Sequence, residues 1–276
     1  MEIYKPQVSY DIIKESDCLQ KTTHLAISAH ADDIEMMALH GIQECFNSRD
    51  SCFSAIVVTN GAGSTKTGDY EQLNTQDIVL VRKKEQMKAA IIGEYSSISF
   101  LNYSSQSIKY GKAVEKDLEY LIKEMQPQII YTHCIMDEHL THIAVCKHVI
   151  NVLKRIKDEI PRVQLFGCEL WGGLDWLPRN RRIEFDVSRR SNLSNALIGI
   201  YDSQIDGGKR YDSAIYARTI SNATFGKAEG IDSITRKLFA IDMSPIIYQN
   251  IEIDSFLDSV ITDFKESIQE RLGSIV

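Results

Sequence analysis

His24-Leu25-Ala26-Ile27-Ser28-Ala29-His30-Ala31-Asp32-Asp33-Ile34-Glu35-Met36-Met37 reads as a buried strand, a sharp turn and the first turn of a helix. Leu25, Ala26, Ile27 and Ala29 make an apolar run of strand length, and Ile34, Met36, Met37, Leu39, Ile42, Cys45 and Phe46 then recur at roughly helical spacing. Asp32 or Asp33 can cap that helix, because a carboxylate there accepts the free backbone N–H groups of the first turn. Capping needs one such group, and a second carboxylate with His30 two residues before exceeds it. His30 and Asp33 can converge above the carboxyl end of the strand, where open α/β sheets place their ligands. One imidazole and one carboxylate suit Zn2+ or a similar divalent ion, provided another part of the chain supplies a third ligand. A capping Asp, a solvent-exposed Asp and a histidine bonded to a loop carbonyl would read the same way locally.

Outward from this stretch, residues 54–59 form a second apolar strand that runs into Asn60-Gly61-Ala62-Gly63-Ser64-Thr65-Lys66-Thr67-Gly68. The spacing fails GxxxxGK[ST], which excludes a nucleotide P-loop and leaves a loop bordering a ligand site. Apolar periodicity predicts a helix over 77–92, with Ile78, Val81, Ala89 and Ile92 inside and Arg82, Lys83, Lys84 and Glu85 on the solvent side. A strand over 97–101, a helix over 114–125 and a buried strand over 128–132 follow. Strand and helix alternate, so the chain is expected to be a three-layer α/β/α protein with a Rossmann-like, mostly parallel sheet.

The strand at 128–132 opens into His133-Cys134-Ile135-Met136-Asp137-Glu138-His139-Leu140-Thr141-His142, again just before a helix. Three of the seven histidines fall within these ten residues, and His139 and His142 share a helix face. Two such clusters, each after a strand, favour a metal site over a merely polar loop.

Composition bounds the class. The 276 residues are 43% hydrophobic and 25% charged with a formal net charge of -7, a soluble chain long enough for one large core. The acidic balance argues against nucleic acid or an anionic membrane as partner. No stretch has the length of a membrane span and no basic-then-apolar leader opens the chain, so a cytoplasmic location is expected. The six cysteines have no CxxC pair and are expected to be free.

His30-Ala31-Asp32-Asp33-Ile34-Glu35 resembles the HxDDxE signature of the PIG-L, or LmbE-like, family of zinc-dependent N-deacetylases, and His139-Leu140-Thr141-His142 resembles its second motif, usually HPDH. Val57-Val58-Thr59-Asn60-Gly61, Arg82-Lys83-Lys84-Glu85, Phe100-Leu101-Asn102-Tyr103, Asp186-Val187-Ser188 and Tyr201-Asp202-Ser203-Gln204 are similar to further family segments, in order. The resemblance implies one LmbE-like domain over 1–276, with its core at 20–205 and a loop plus amphipathic helix at 206–276. It implies His30, Asp33 and His142 as Zn2+ ligands, Asp32 as general base and His139 as second catalytic group; a His2Asp set also accepts Fe2+, Mn2+ or Co2+. The expected substrate is a small N-acylated amino sugar or glycoside, contacted by Asn60, Arg82, Asp137, Glu138 and Trp171 and losing its acyl group, acetyl by resemblance. A non-catalytic metal- or sugar-binding member is the alternative, which Asp32 argues against, since a binding protein needs no unligated carboxylate beside the metal.

Three departures qualify the resemblance. Ala31 and Leu140 replace common prolines, and Thr141 replaces the aspartate of HPDH. Without that carboxylate, either Asp137 or Glu138 orients His139, or His139 protonates less easily. Glu138 stands where some members carry an arginine for an anionic group, which points to a neutral or cationic substrate. Trp171 and Trp176 lie in a glycine-containing segment that can wall a sugar site or pack on the sheet edge. Residues 207–230 read as loop, and Phe256, Leu257, Val260, Ile261, Phe264, Ile268 and Leu272 mark an amphipathic helix that docks on its own domain or on a second subunit of a homo-oligomer.

Overall fold

The computed structural model describes residues 1–4, 20–226, 228 and 230–275. In chain order, β1 (Glu2–Tyr4) and β2 (His24–Ser28) precede α1 (Asp33–Met37), α2 (Leu39–Cys45) and β3 (Phe53–Thr59). Then come α3 (Thr75–Ile92), β4 (Ser97–Tyr103), α4 (Ser105–Tyr110), α5 (Val114–Met125), β5 (Ile129–His133), α6 (Leu140–Ile156) and β6 (Gln164–Cys168). The remainder is β7 (Arg182–Asp186), α7 (Ser191–Gly199), α8 (Asp202–Ile205), α9 (Tyr211–Phe225), β8 (Lys237–Asp242), α10 (Ser244–Tyr248) and α11 (Ile253–Gly273).

The strands form one eight-stranded sheet in the order β1-β4-β3-β2-β5-β6-β8-β7. The block from β4 to β6 is parallel, and β1, β8 and β7 join antiparallel at its flanks. The order reverses between β2 and β5, so this doubly wound sheet has its switch point between the two strands that carry the histidine clusters. That topology follows from the residues: β3 is buried along its whole length, as a strand covered on both faces must be.

Alternate strand residues enter two separate cores. Leu25, Ile27, Ile56 and Val58 pack on α5, α6, α10 and α11, while Ala26, Ala55 and Val57 pack on α1, α2, α3 and α7. The helix expected from Ile34 onward is two helices, interrupted at Ala38 (φ -112°, ψ 20°). On α3, Arg82 and Glu85 are buried rather than solvated, because they pair with Asp32 and Ser203 across the helix layer. Residues 207–230 are not simply loop: 211–225 are α9. Its inward face carries Thr219 and Asn222, which bond Arg236 and Glu169, so an apolar period alone does not reveal it. The C-terminal helix docks on its own chain through Phe256 and Val260, and Phe264 meets Trp176 edge to face with centroids 5.4 Å apart. The described Cys45, Cys52, Cys134, Cys146 and Cys168 are free, and Cys18 lies outside the described residues. Among the described residues, no helix is long and apolar enough to cross a membrane.

Candidate metal centre and catalytic site

Two strand-to-helix turns build the site from adjacent strands. At the end of β2 the chain turns through Asp32, whose φ of 90° and ψ of -31° lie where a residue with a Cβ is strained. No side-chain cap closes α1; Asp33 Oδ2 instead reaches back across the turn and accepts the His30 backbone N–H at 2.7 Å. At the end of β5, Asp137 Oδ1 accepts the His139 backbone N–H at 2.7 Å, which sets the entry of α6 and brings His142 into its first turn.

The two turns meet at Asp33. Its Oδ2 lies 3.2 Å from His30 Nδ1, 3.3 Å from His133 Nε2 and 3.5 Å from His142 Nε2. His30 Nδ1 and His142 Nε2 are 3.2 Å apart, and the His133 ring stacks on His142 with centroids 3.8 Å apart and planes at 15°. His133 Nε2 accepts the Ala29 backbone N–H at 2.8 Å, so that ring nitrogen is unprotonated. Two triplets, His30–His139–His142 and Asp33–His133–His142, each hold their ligand atoms within 4.8 Å of one another. Behind His142, Asp137 Oδ2 stands 3.4 Å from Nδ1, an ion-pair distance rather than a formed hydrogen bond, in the carboxylate–histidine order that orients metal ligands.

The electrostatics separate the two aspartates. Burial opposes ionisation of Asp33, but the His142, His30 and His133 rings around it hold its carboxyl well below the usual range. Burial pushes Asp32 well above that range; Arg82 pulls it down, and Asp33, Glu35 and Glu85 push it further up. Burial likewise lowers His30 and His142, so these imidazoles are neutral with lone pairs to offer. Burial, with His142 and His30 beside it, pushes His139 down to about 4. An anionic carboxylate among neutral imidazoles is the donor chemistry of a divalent transition metal, so the residues fit such an ion.

Arg82 lies beneath Asp32 and is buried. It meets Asp32 Oδ1 at 3.2 Å, donates to the Ala31 carbonyl at 2.5 Å and bonds the Ser64 hydroxyl. Asp32 Oδ2 is buried without a hydrogen-bond partner in the protein, as is His139 Nδ1. Asn60 Oδ1 accepts the Ala62 N–H at 3.1 Å and closes its own turn, while Glu138 is exposed at the rim. The Trp171 ring lies 6.1 Å from that of His139, and its backbone N–H reaches Asp137 Oδ2 at 3.3 Å. Sequence reasoning did not select His133, Gln86 or Glu35 as site residues. The available signal for His133 was a polar residue closing a buried strand at the switch point.

Residues 25–153 match the family model described as PIG-L, GlcNAc-PI de-N-acetylase. Among solved structures, the chain is similar to N,N'-diacetylchitobiose deacetylase from Pyrococcus horikoshii, with a TM-score of 0.65, 15% identity and 82% of this chain and 85% of that one covered. It is also similar to 4-carboxy-2-hydroxymuconate hydratase from Pseudomonas putida KT2440 (TM-score 0.62, 14% identity, 84% and 100% covered). A third is the A40926 pseudoaglycone deacetylase (TM-score 0.59, 15% identity, 80% and 97% covered). Such identities establish a shared fold, and that fold serves a hydratase as well as deacetylases, so the chemistry is argued from the site. No curated protein matches the chain in sequence. The matched span runs from β2 through α6 and carries both ligand turns, so this part of the chain is similar to the PIG-L family of de-N-acetylases.

Proposed function

We propose that this protein hydrolyses the N-acyl amide of an amino sugar or sugar-like substrate, with a divalent metal, Zn2+ by family, held by His30, Asp33 and His142. Such an ion supplies Lewis-acid activation of the acyl oxygen and of water. Asp32 takes the proton of the attacking water. Burial raises its affinity for that proton, Arg82 fixes one oxygen, and the other is free to receive it. As the C–N bond breaks, its electron pair stays on nitrogen, which takes a proton and leaves as the amine, while the acyl part leaves as a carboxylic acid. His139, neutral at rest, donates a ring N–H to the charge that develops on oxygen, and the proton that Asp32 took from water passes to nitrogen. Thr141 supplies no carboxylate to His139, and Asp137 binds its backbone rather than its ring. Glu138 at the rim favours neutral or cationic substrates, and a reduced cytoplasm suits the free cysteines.

One observation carries this reading: Asp32 is buried with one oxygen against Arg82 and the other free, beside a separate Asp33 that faces three histidines. A metal-binding protein needs only the second carboxylate. The test is amine release from N-acetylglucosamine derivatives by the metal-loaded protein, its chelated form and Asp32→Asn. Turnover lost on chelation and reduced about 10²- to 10⁴-fold in Asp32→Asn is expected. Equal turnover by Asp32→Asn, or metal binding with no amine from any derivative, overturns the proposal.

A further inference from the structure

Beside the metal centre lies a pocket of about 180 Å³ walled by Met36, Leu170, Trp171, Tyr211, Ile215 and Arg218. It sits on a small core of its own, in which Met36, Leu170, Ile198 and Ile215 pack together with Tyr211 against them. Two of its lining residues adjoin the reacting groups. Met36 stands one helical turn beyond Asp32 and Asp33 on α1, and Trp171 flanks His139 with ring centroids 6.1 Å apart. Tyr211 feels the negative charge of Asp32 and Asp33, which helps burial keep its hydroxyl protonated.

The lining suits hydrocarbon better than a sugar ring. A sugar needs hydrogen-bonding partners for its hydroxyls. Here the Arg218 guanidinium already bonds the Leu170 carbonyl, and Lys209 covers one face of the Trp171 indole, 4.8 Å from its centroid. Tyr211 turns its ring edge-to-face toward Trp171 at 6.5 Å, and between these polar groups Met36, Leu170, Ala214 and Ile215 give the lining its apolar surface. Met36, one helical turn along from the base, is a flexible apolar side chain that adapts to chains of different shape. The acyl carbon is the atom attacked by the water that Asp32 deprotonates, so the group it carries is anchored at the Asp32 end of the site, the end that Met36 follows on α1.

We propose that this pocket receives the hydrocarbon tail of the acyl group, making the protein selective for N-acyl chains longer than acetyl, of about six carbons. The length follows from volume, since a cavity of about 150 Å³ holds a benzene ring. The inference rests on the N-deacylase reading above and deepens it.

The test measures amine release from N-acetyl-, N-butyryl-, N-hexanoyl- and N-decanoylglucosamine, with the hexyl glycoside of N-acetylglucosamine alongside. Each buried methylene contributes about fourfold in affinity, so even partial burial of the four added methylenes gives N-hexanoyl at least about a tenfold higher kcat/KM than N-acetyl. Ala214 lines the same pocket and is exposed on α9, so Ala214→Trp fills the pocket without disturbing the core, and the hexanoyl-to-acetyl ratio falls toward one. A binding readout stands apart from turnover. In Asp32→Asn, N-hexanoylglucosamine shifts the fluorescence of Trp171, one of two tryptophans, at least tenfold more tightly than N-acetylglucosamine does, and Trp171→Phe removes the signal. A hexanoyl-to-acetyl ratio at or below one, or a gain with the hexyl glycoside instead, overturns the acyl pocket while the deacylase reading survives. No amine from any compound overturns both.

Discussion

Gln86 Oε1 accepts the backbone N–H of Asp32 at 3.2 Å, at the residue where the chain adopts a φ of 90°. Gln86 is fully buried, and its Nε2 donates to Glu35 Oε1 at 2.8 Å. Glu35 in turn accepts the Tyr95 hydroxyl at 2.6 Å and the Tyr201 hydroxyl at 2.5 Å. A strained backbone persists only where its surroundings over-determine it. Here a chain of buried hydrogen bonds from α3 and the two tyrosines holds the proposed base in place. Gln86→Met keeps the volume and loses the acceptor. It is expected to lower kcat about tenfold while KM and bound metal stay unchanged. In an Asp32→Asn background it should add nothing further to the loss of kcat, whereas a purely structural defect would add to it. Steady-state kinetics on the four proteins of that double-mutant cycle decide the matter.

Arg82 is the other restraint on Asp32, and both side chains are nearly excluded from water. Removing one partner of a buried pair leaves an uncompensated charge, which costs about 3–5 kcal/mol. Arg82→Met is therefore expected to lower stability by that order in urea unfolding, and to abolish amine release. A loss below about 1 kcal/mol would mean that the pair contributes little and that water screens Asp32.

The part of the site written in short stretches was legible in the sequence. His30, Asp32, Asp33 and His142 crowd two strand-to-helix turns, and the β/α alternation that places those turns at one sheet edge is local. His133 stands in the same cluster with no local sign of its role, because that role depends on a partner 104 residues away, the Ala29 N–H at the end of the neighbouring strand. Arg82 and Glu85 read with Lys83 and Lys84 as a charged helix face, and Gln86 carries no signal of its own, since burial on α3 is decided by Asp32, Ser203 and Glu35 rather than by any period along the helix. The α9 helix was hidden for the same reason: Asn222 and Thr219 are inside because Glu169 and Arg236 meet them there.

The outer helix layer carries a pH-dependent contact. Burial raises the proton affinity of Glu115, yet hydrogen bonds from His148, Asn151 and Arg155 bring its carboxyl below the ordinary 4.5. A carboxylate whose folded pKa is depressed stabilises the fold fully above its unfolded value, and that stability is lost as pH falls through the lower folded value. Glu115→Gln is expected to lower stability at pH 7 and to differ less and less from the parent as pH drops below 4.5. Urea midpoints for both proteins at several pH values from 7 to about 3 test the sign. A gap that widens on acidification contradicts it.

Metal removal separates ligands from the residues that hold them. An ion bound only by the folded protein stabilises it, by about 2.7 kcal/mol when present at 100 times its dissociation constant. Loading with Zn2+ is therefore expected to raise the Tm, and a chelator to reverse the gain. His142→Ala, which removes a proposed ligand, should abolish both the gain and the bound metal. His133 is placed differently: its Nε2 is occupied by the Ala29 N–H, and its ring supports His142 by stacking. His133→Gln, whose amide oxygen can also accept that N–H, is expected to keep one metal per chain with affinity weakened about 10- to 100-fold, as for other groups that orient ligands. Metal content by elemental analysis, read beside the Tm, distinguishes the two. Complete loss of metal in His133→Gln would move His133 into the ligand set and favour the Asp33–His133–His142 triplet as the binding site.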